Sequence, residues 1–165
     1  MAGALSAEEL SQRIAVIKRF REMLQAQRDR FREYLHVLDK QQDVIERGDT
    51  EALLSHVELE EHIIKDIFNI QKVIDPLENM YHDLPAPGGK TSASAGGEAE
   101  VTGLKAAVER LKQEAVIRSE RNRGLLSKRM TEIRSEIKSL RGNPYAARRS
   151  IYAGGGSPSI IDVKG

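Results

Sequence analysis

Cysteine is absent from the 165-residue chain, which removes disulfides, thiolate metal sites and a cysteine nucleophile. Aromatic side chains are scarce: Phe and Tyr make up 4% of the residues and tryptophan is missing. So thin a supply does not build a compact aromatic core. The longest apolar run, Ile14 to Ile17, is four residues, against the roughly 20 that a membrane-spanning helix needs. No apolar run follows a basic start, so no secretory leader is expected. A net charge of +1 argues against a dedicated nucleic-acid binder, although local asymmetry can hide beneath a neutral total. Together these absences predict a soluble protein of a reducing compartment, most simply the cytosol. What the chain has in quantity is charge, 31% Asp, Glu, Lys and Arg, which suits long solvated helices in one domain, two at most.

Proline and glycine are unevenly placed. No proline precedes Pro76, and nine of the thirteen glycines fall within 85–100 and 142–165. Residues 85–100, Pro-Ala-Pro-Gly-Gly-Lys-Thr-Ser-Ala-Ser-Ala-Gly-Gly-Glu-Ala-Glu, read as a flexible linker. Residues 142–165 read as a tail. The expected organisation is a helical hairpin over 1–84, the linker, a third long helix over 101–141 packing on the hairpin, and the tail.

Ser6 with Glu9 three residues later predicts a capping box at the start of the first helix. Leu10, Ile17, Leu24, Phe31, Leu38 and Ile45 then recur every seven residues, with a patchier companion seam of Ile14, Arg21, Arg28, Leu35 and Gln42. A stripe so narrow belongs to a coiled coil or a slim hairpin. Gly48 supplies a left-handed cap, and Asp49 or Thr50 can cap a second helix. That helix carries Leu53, Val57, Ile64, Ile67, Gln71, Ile74 and Tyr81 on one face, and Pro76 is expected to kink or end it. The third carries Leu104, Val108, Leu111 and Ala115, then Leu126, Met130, Ile133, Ile137 and Leu140. The eleven residues from Ala115 to Leu126 keep the stripe on one side of a nearly straight helix. Arg118, Glu120, Arg121, Asn122 and Arg123 form a polar waist between. Burying an aliphatic side chain contributes about 1.5–3 kcal/mol, whereas ordering each backbone residue costs roughly 1–2 kcal/mol. No such helix is self-sufficient. The expected fold is all-α, an elongated three-helix, coiled-coil-like bundle.

Residues 48–84 carry a net charge of −7 and residues 101–141 a net of +6, which favours the second helix lying near the third. Familiar catalytic patterns are incomplete. Gly89-Lys90-Thr91 resembles the end of a phosphate loop, but Leu84 stands where the first glycine belongs and no strand precedes it. Glu33 with His36 is one half of a di-iron motif without its second half. His62, flanked by Glu58 and Asp66, reads as an ordinary exposed helical histidine. No catalytic, cofactor or metal residues are expected. Arg118, Arg121, Arg123, Lys128 and Arg129 could contact phosphates, yet acidic residues are interleaved and no aromatic is present to stack on bases. The tail is unusual in holding Tyr145, Ile151, Tyr152, Ile160, Ile161 and Val163 beside Gly154-Gly155-Gly156, because plain disordered tails are poor in such side chains.

The long first helix, the Gly48-Asp49 turn, the start Thr50-Glu51-Ala52-Leu53-Leu54 and a basic third helix resemble the FlgN-type flagellar export chaperones. So do Asn122, Leu125-Leu126, Arg129 and Ile133, then Tyr145, Gly154–Gly156 and Ser159-Ile160-Ile161-Asp162-Val163. The resemblance implies a cytosolic, ATP-independent chaperone. It would bind helical termini of hook–filament junction (hook-associated) proteins and deliver them to the flagellar type III export apparatus. It also implies client capture by the last helix together with the tail: Leu126, Met130, Ile133, Ile137, Leu140, Tyr145, Tyr152, Ile160 and Ile161. Two alternatives stand beside it, a structural coiled-coil scaffold that only oligomerises and a basic-helix nucleic-acid binder.

Overall fold

A computed structural model describes residues 5–84 and 92–142, with side chains from residue 97 onward in the second stretch. Three helices account for them: α1 (Ala7–Arg47), α2 (Thr50–Asp83) and α3 (Ser92–Gly142). No strand occurs among the described residues, and the fold is all-α. The chain divides after Leu125 into two compact units, the first containing α1, α2 and α3 as far as Leu125.

Local chemistry accounts for the ends of these helices. Ser6 Oγ accepts from the Glu9 amide at 3.2 Å and the Glu9 carboxylate accepts from the Ser6 amide at 2.8 Å, completing the capping box. Gly48 adopts φ 72°, ψ 23°, a conformation that a Cβ would penalise. The amide of Gly48 donates to Ile45 O and that of Asp49 to Val44 O, so the last carbonyls of α1 are satisfied in a Schellman arrangement. Asp49 caps α2 by accepting from the Ala52 amide at 3.1 Å. Pro76 lies inside α2, which continues through it to Asp83; the alternative in which the helix ends at Pro76 is corrected. A proline there removes one backbone hydrogen bond, and the neighbouring buried Ile74 and part-buried Leu77 anchor the helix on either side.

Part of the expected linker over 85–100 is helix instead. Residues 92–100 are the opening turns of α3, and residues 85–91 lie outside the described residues. Gly97 is there for close approach: a Cβ at this position would meet Ile17 Cγ2 at 3.1 Å. The pair Arg13–Glu98 and the Arg21–Glu100 bridge at 2.9 Å fasten the same turns to α1.

Within the first unit α2 runs antiparallel to α1, as the contacts Phe20–Tyr81, Gln27–Gln71 and Tyr34–Glu60 require. By contrast, α3 runs parallel to α1, since Glu98 meets Arg13 and Asn122 meets Leu38. The core falls into two clusters. One joins Ile17, Phe20 and Leu24 to Ile74, Val101 and Leu104. The other joins Phe31, Leu35 and Leu38 to Val108 and Ala115. Between them Gln27 donates to Gln71 Oε1 at 2.7 Å.

The companion seam of α1 differs from the expected one. Ile14 is exposed, and the buried partner row is Arg13, Phe20, Gln27 and Gln41, with Tyr34 half-buried at the same seven-residue spacing. Polar residues can occupy that row because each meets an interhelical partner: Glu98, Gln71, and Glu60 for both Tyr34 and Gln41. Burying them unpaired would be costly. The acidic α2 and basic α3 do meet, through Lys105–Glu78. Most ion pairs from α3 go elsewhere, to α1: Glu98 to Arg13, Glu100 to Arg21, and Arg118 and Arg121 to Asp39.

Candidate partner-binding site

Leu126, Met130, Ile133, Ile137 and Leu140 all lie on α3, in the second unit. At 3.6 residues per turn their spacings of four, three, four and three put them within an arc of about 80° and along about 21 Å of helix. All five are exposed, from 39% for Leu126 to 72% for Leu140. Nothing among the described residues covers this row. Singly exposed apolar side chains are common, whereas these five form a continuous exposed line.

The flanks are mostly basic. Arg129 pairs with Glu132 at 3.3 Å, while Lys128, Arg134, Lys138 and Arg141 form no ion pair among the described residues. An apolar line thus runs along one side of α3 between mostly basic flanks. Met130, with its flexible thioether chain, suits a surface that adapts to more than one shape. The remaining residues of the expected site, Tyr145, Tyr152, Ile160 and Ile161, lie outside the described residues.

A polar cluster sits in the first unit, at the end of its α3 segment. Asn122 is buried and donates to Leu38 O at 2.7 Å and to Gln41 Oε1 at 3.4 Å. Gln41 donates to one oxygen of Glu60, and the Tyr34 hydroxyl donates to the other at 3.0 Å. Burial, then the charge of Glu60, pushes the Tyr34 phenol up to about 12. One layer thus ties α1, α2 and α3 together and sets their register, as a buried asparagine does in a coiled coil.

Asn122 reads as exposed in the sequence because it sits among Arg118, Arg121 and Arg123. The signal that places it inside is its spacing: it lies fourteen and seven residues after buried Val108 and Ala115. The same layer weakens the nucleic-acid reading. Arg118 and Arg121 are engaged by Asp39 at 2.9 and 3.3 Å, and Arg118 also by Glu114 at 3.0 Å. Among the described residues, no group of His, Asp or Glu could hold a metal ion, and no helix is long and apolar enough to cross a membrane.

The chain is 34% identical over 166 residues to an uncharacterized protein of Treponema pallidum (strain Nichols), with 99% of each chain covered. No solved structure matches significantly. The family described as FlgN protein matches residues 16–160, from the first core turn of α1 into the tail. The chain belongs to the FlgN family of flagellar export chaperones.

Proposed function

We propose that this chain is a cytosolic chaperone that holds hook–filament junction proteins unassembled and hands them to the flagellar type III export apparatus. The observation that carries the reading is the exposed row Leu126, Met130, Ile133, Ile137 and Leu140 on α3 of a FlgN-family protein. A terminal helix of a junction protein, whose apolar face is meant for another subunit, would lay that face along the row. Occupying the face blocks assembly by simple competition. No ATP is needed, because binding exchanges one helix partner for another and release comes when the export apparatus takes up the client.

The tail residues Tyr145, Tyr152, Ile160 and Ile161 belong to the proposed capture surface. Deleting residues 142–165 is then expected to leave helix content nearly unchanged while client affinity falls.

The deciding experiment is titration of the purified chain with a hook–filament junction protein, read by calorimetry and by sedimentation at several concentrations. A one-to-one complex whose affinity drops in Ile133→Asp/Ile137→Asp supports the proposal. A chain that ignores the junction protein and instead forms stable higher oligomers through the same face would be a scaffold.

A further inference from the structure

A second apolar feature lies wholly within the first unit, apart from the α3 face described above. It is a groove of about 470 Å³ between α2 and α3, floored by α1. Phe31 and Tyr34 form the floor, with Phe31 buried. The α2 wall is Ile64, Ile67, Phe68 and Gln71, the i, i+3, i+4, i+7 pattern of two turns. Ala115 and Val116 stand opposite on α3. Phe68 is 63% exposed and Val116 53%, so this three-helix body leaves an aromatic and a branched side chain uncovered across one channel.

Geometry and charge specify what fits. The α2 wall runs seven residue steps, from Ile64 to Gln71, and the α3 wall eleven, from Lys112 to Arg123. At 1.5 Å per residue these are about 10 and 16 Å, the length of two to three turns of a fourth helix. Lys112 and Arg123 stand at the two ends of the α3 wall. Neither forms an ion pair among the described residues, whereas Arg118 and Arg121 between them are held by Asp39. The one carboxylate in the lining is Glu120, which leaves the rim with a net positive charge.

We infer that this groove is a second docking site, for an amphipathic helix of a partner protein that presents apolar residues at i, i+3, i+4 and i+7 and carboxylates about three turns apart toward Lys112 and Arg123. Phe68 is the anchor, because a large aromatic that becomes fully covered carries a disproportionate share of binding energy.

The test uses the full chain and a fluorescein-labelled peptide of about eighteen residues, five helical turns, with leucine in that spacing and glutamate on both edges. A second peptide replaces glutamate with lysine. Fluorescence anisotropy is expected to show saturable binding of the acidic peptide that weakens with salt. Phe68→Ser and Val116→Ser should each weaken it by about tenfold. Lys112→Glu/Arg123→Glu should reverse the preference to the basic peptide. Circular dichroism checks folding, and both apolar positions are exposed enough for the variants to fold. Affinity unchanged by all of these substitutions would overturn the inference. So would affinity abolished only by Ile133→Asp/Ile137→Asp, which would assign the peptide to the other face. Phe68→Ser converting an oligomer of the free chain to a monomer would overturn it too, by making the groove an interface between copies.

Discussion

The upstream and downstream parts of α3 carry the same apolar spacing and meet different fates. Val101, Leu104, Val108 and Ala115 are buried against named residues of α1 and α2, whereas Leu126, Met130, Ile133, Ile137 and Leu140 are exposed. A seam of threes and fours states only that a helix face wants cover. It does not state whose. In the first unit the cover comes from Ile17, Phe20, Leu24, Phe31 and Ile74. In the second, the described chain supplies none, which is the condition a chaperone face must satisfy.

The most drastic way to break this contrast is to place a carboxylate in each half. Leu104 is 6% exposed, and Leu104→Asp removes a packed side chain and buries a charge. The expected loss is more than about 3 kcal/mol, against a total of about 5–15 kcal/mol for a typical domain. Urea unfolding should show a much lower midpoint, or no cooperative transition at all. A midpoint close to wild type would mean that the upstream seam is not the core and that the two halves are alike.

The polar layer gives the next effect in size. Asn122→Ala removes the interhelical side-chain donor to Leu38 O and to Gln41 Oε1, at an expected cost of about 0.5–1.5 kcal/mol. Hydrogen exchange should rise first around Leu38 and Gln41. An unchanged unfolding curve would show that the layer does not hold the three helices in register.

How much of this could be read from the residues depends on what each position must satisfy. The heptad of Leu10, Ile17, Leu24, Phe31, Leu38 and Ile45 was legible because apolar periodicity survives whatever partner covers it; all are buried except Leu10, which is 41% exposed in the first turn of α1. The row Arg13, Gln27, Tyr34 and Gln41 was not, because a buried polar residue and a solvated one look identical until its hydrogen-bond partner is known. Gly96-Gly97 resembled a linker for a related reason: glycine chosen for close approach to Ile17 carries the same letter as glycine chosen for flexibility. The exposed downstream row was legible as a face, and its family likeness suggested a use. The groove at Phe68 was not legible, since it arises from how three helices separate rather than from any one of them.

Tyr34 sharpens the comparison from the titration side, with a smaller effect. Its folded ionisation lies near 12, above the value near 10 for a free phenol. The folded state therefore keeps a proton that the unfolded state gives up. Its contribution is complete below about pH 10 and is lost as pH rises toward 12. Because the ring is only half-buried, the effect is no more than about 1 kcal/mol. Stability measured from pH 9 to 12 should fall less steeply in Tyr34→Phe than in wild type. An equal slope would remove Tyr34 from the layer's energetics.

The smallest change in stability is expected where the change in binding is greatest. Ile133→Asp/Ile137→Asp replaces apolar groups that already stand in water, so the unfolding midpoint should move by no more than about 0.5 kcal/mol. The two new carboxylates repel each other at i, i+4, but Arg129 lies one turn from position 133, and Arg134 and Arg141 one turn from position 137, which offsets that on an exposed helix. A client helix pressed on the same face would have to bury both charges, so its affinity should drop by about tenfold or more. Measuring both quantities on one sample separates the two meanings of an apolar seam. If stability falls as it does for Leu104→Asp, the downstream row is a core that the chain covers for itself. If stability holds and client affinity falls, the row is exposed for another protein's benefit.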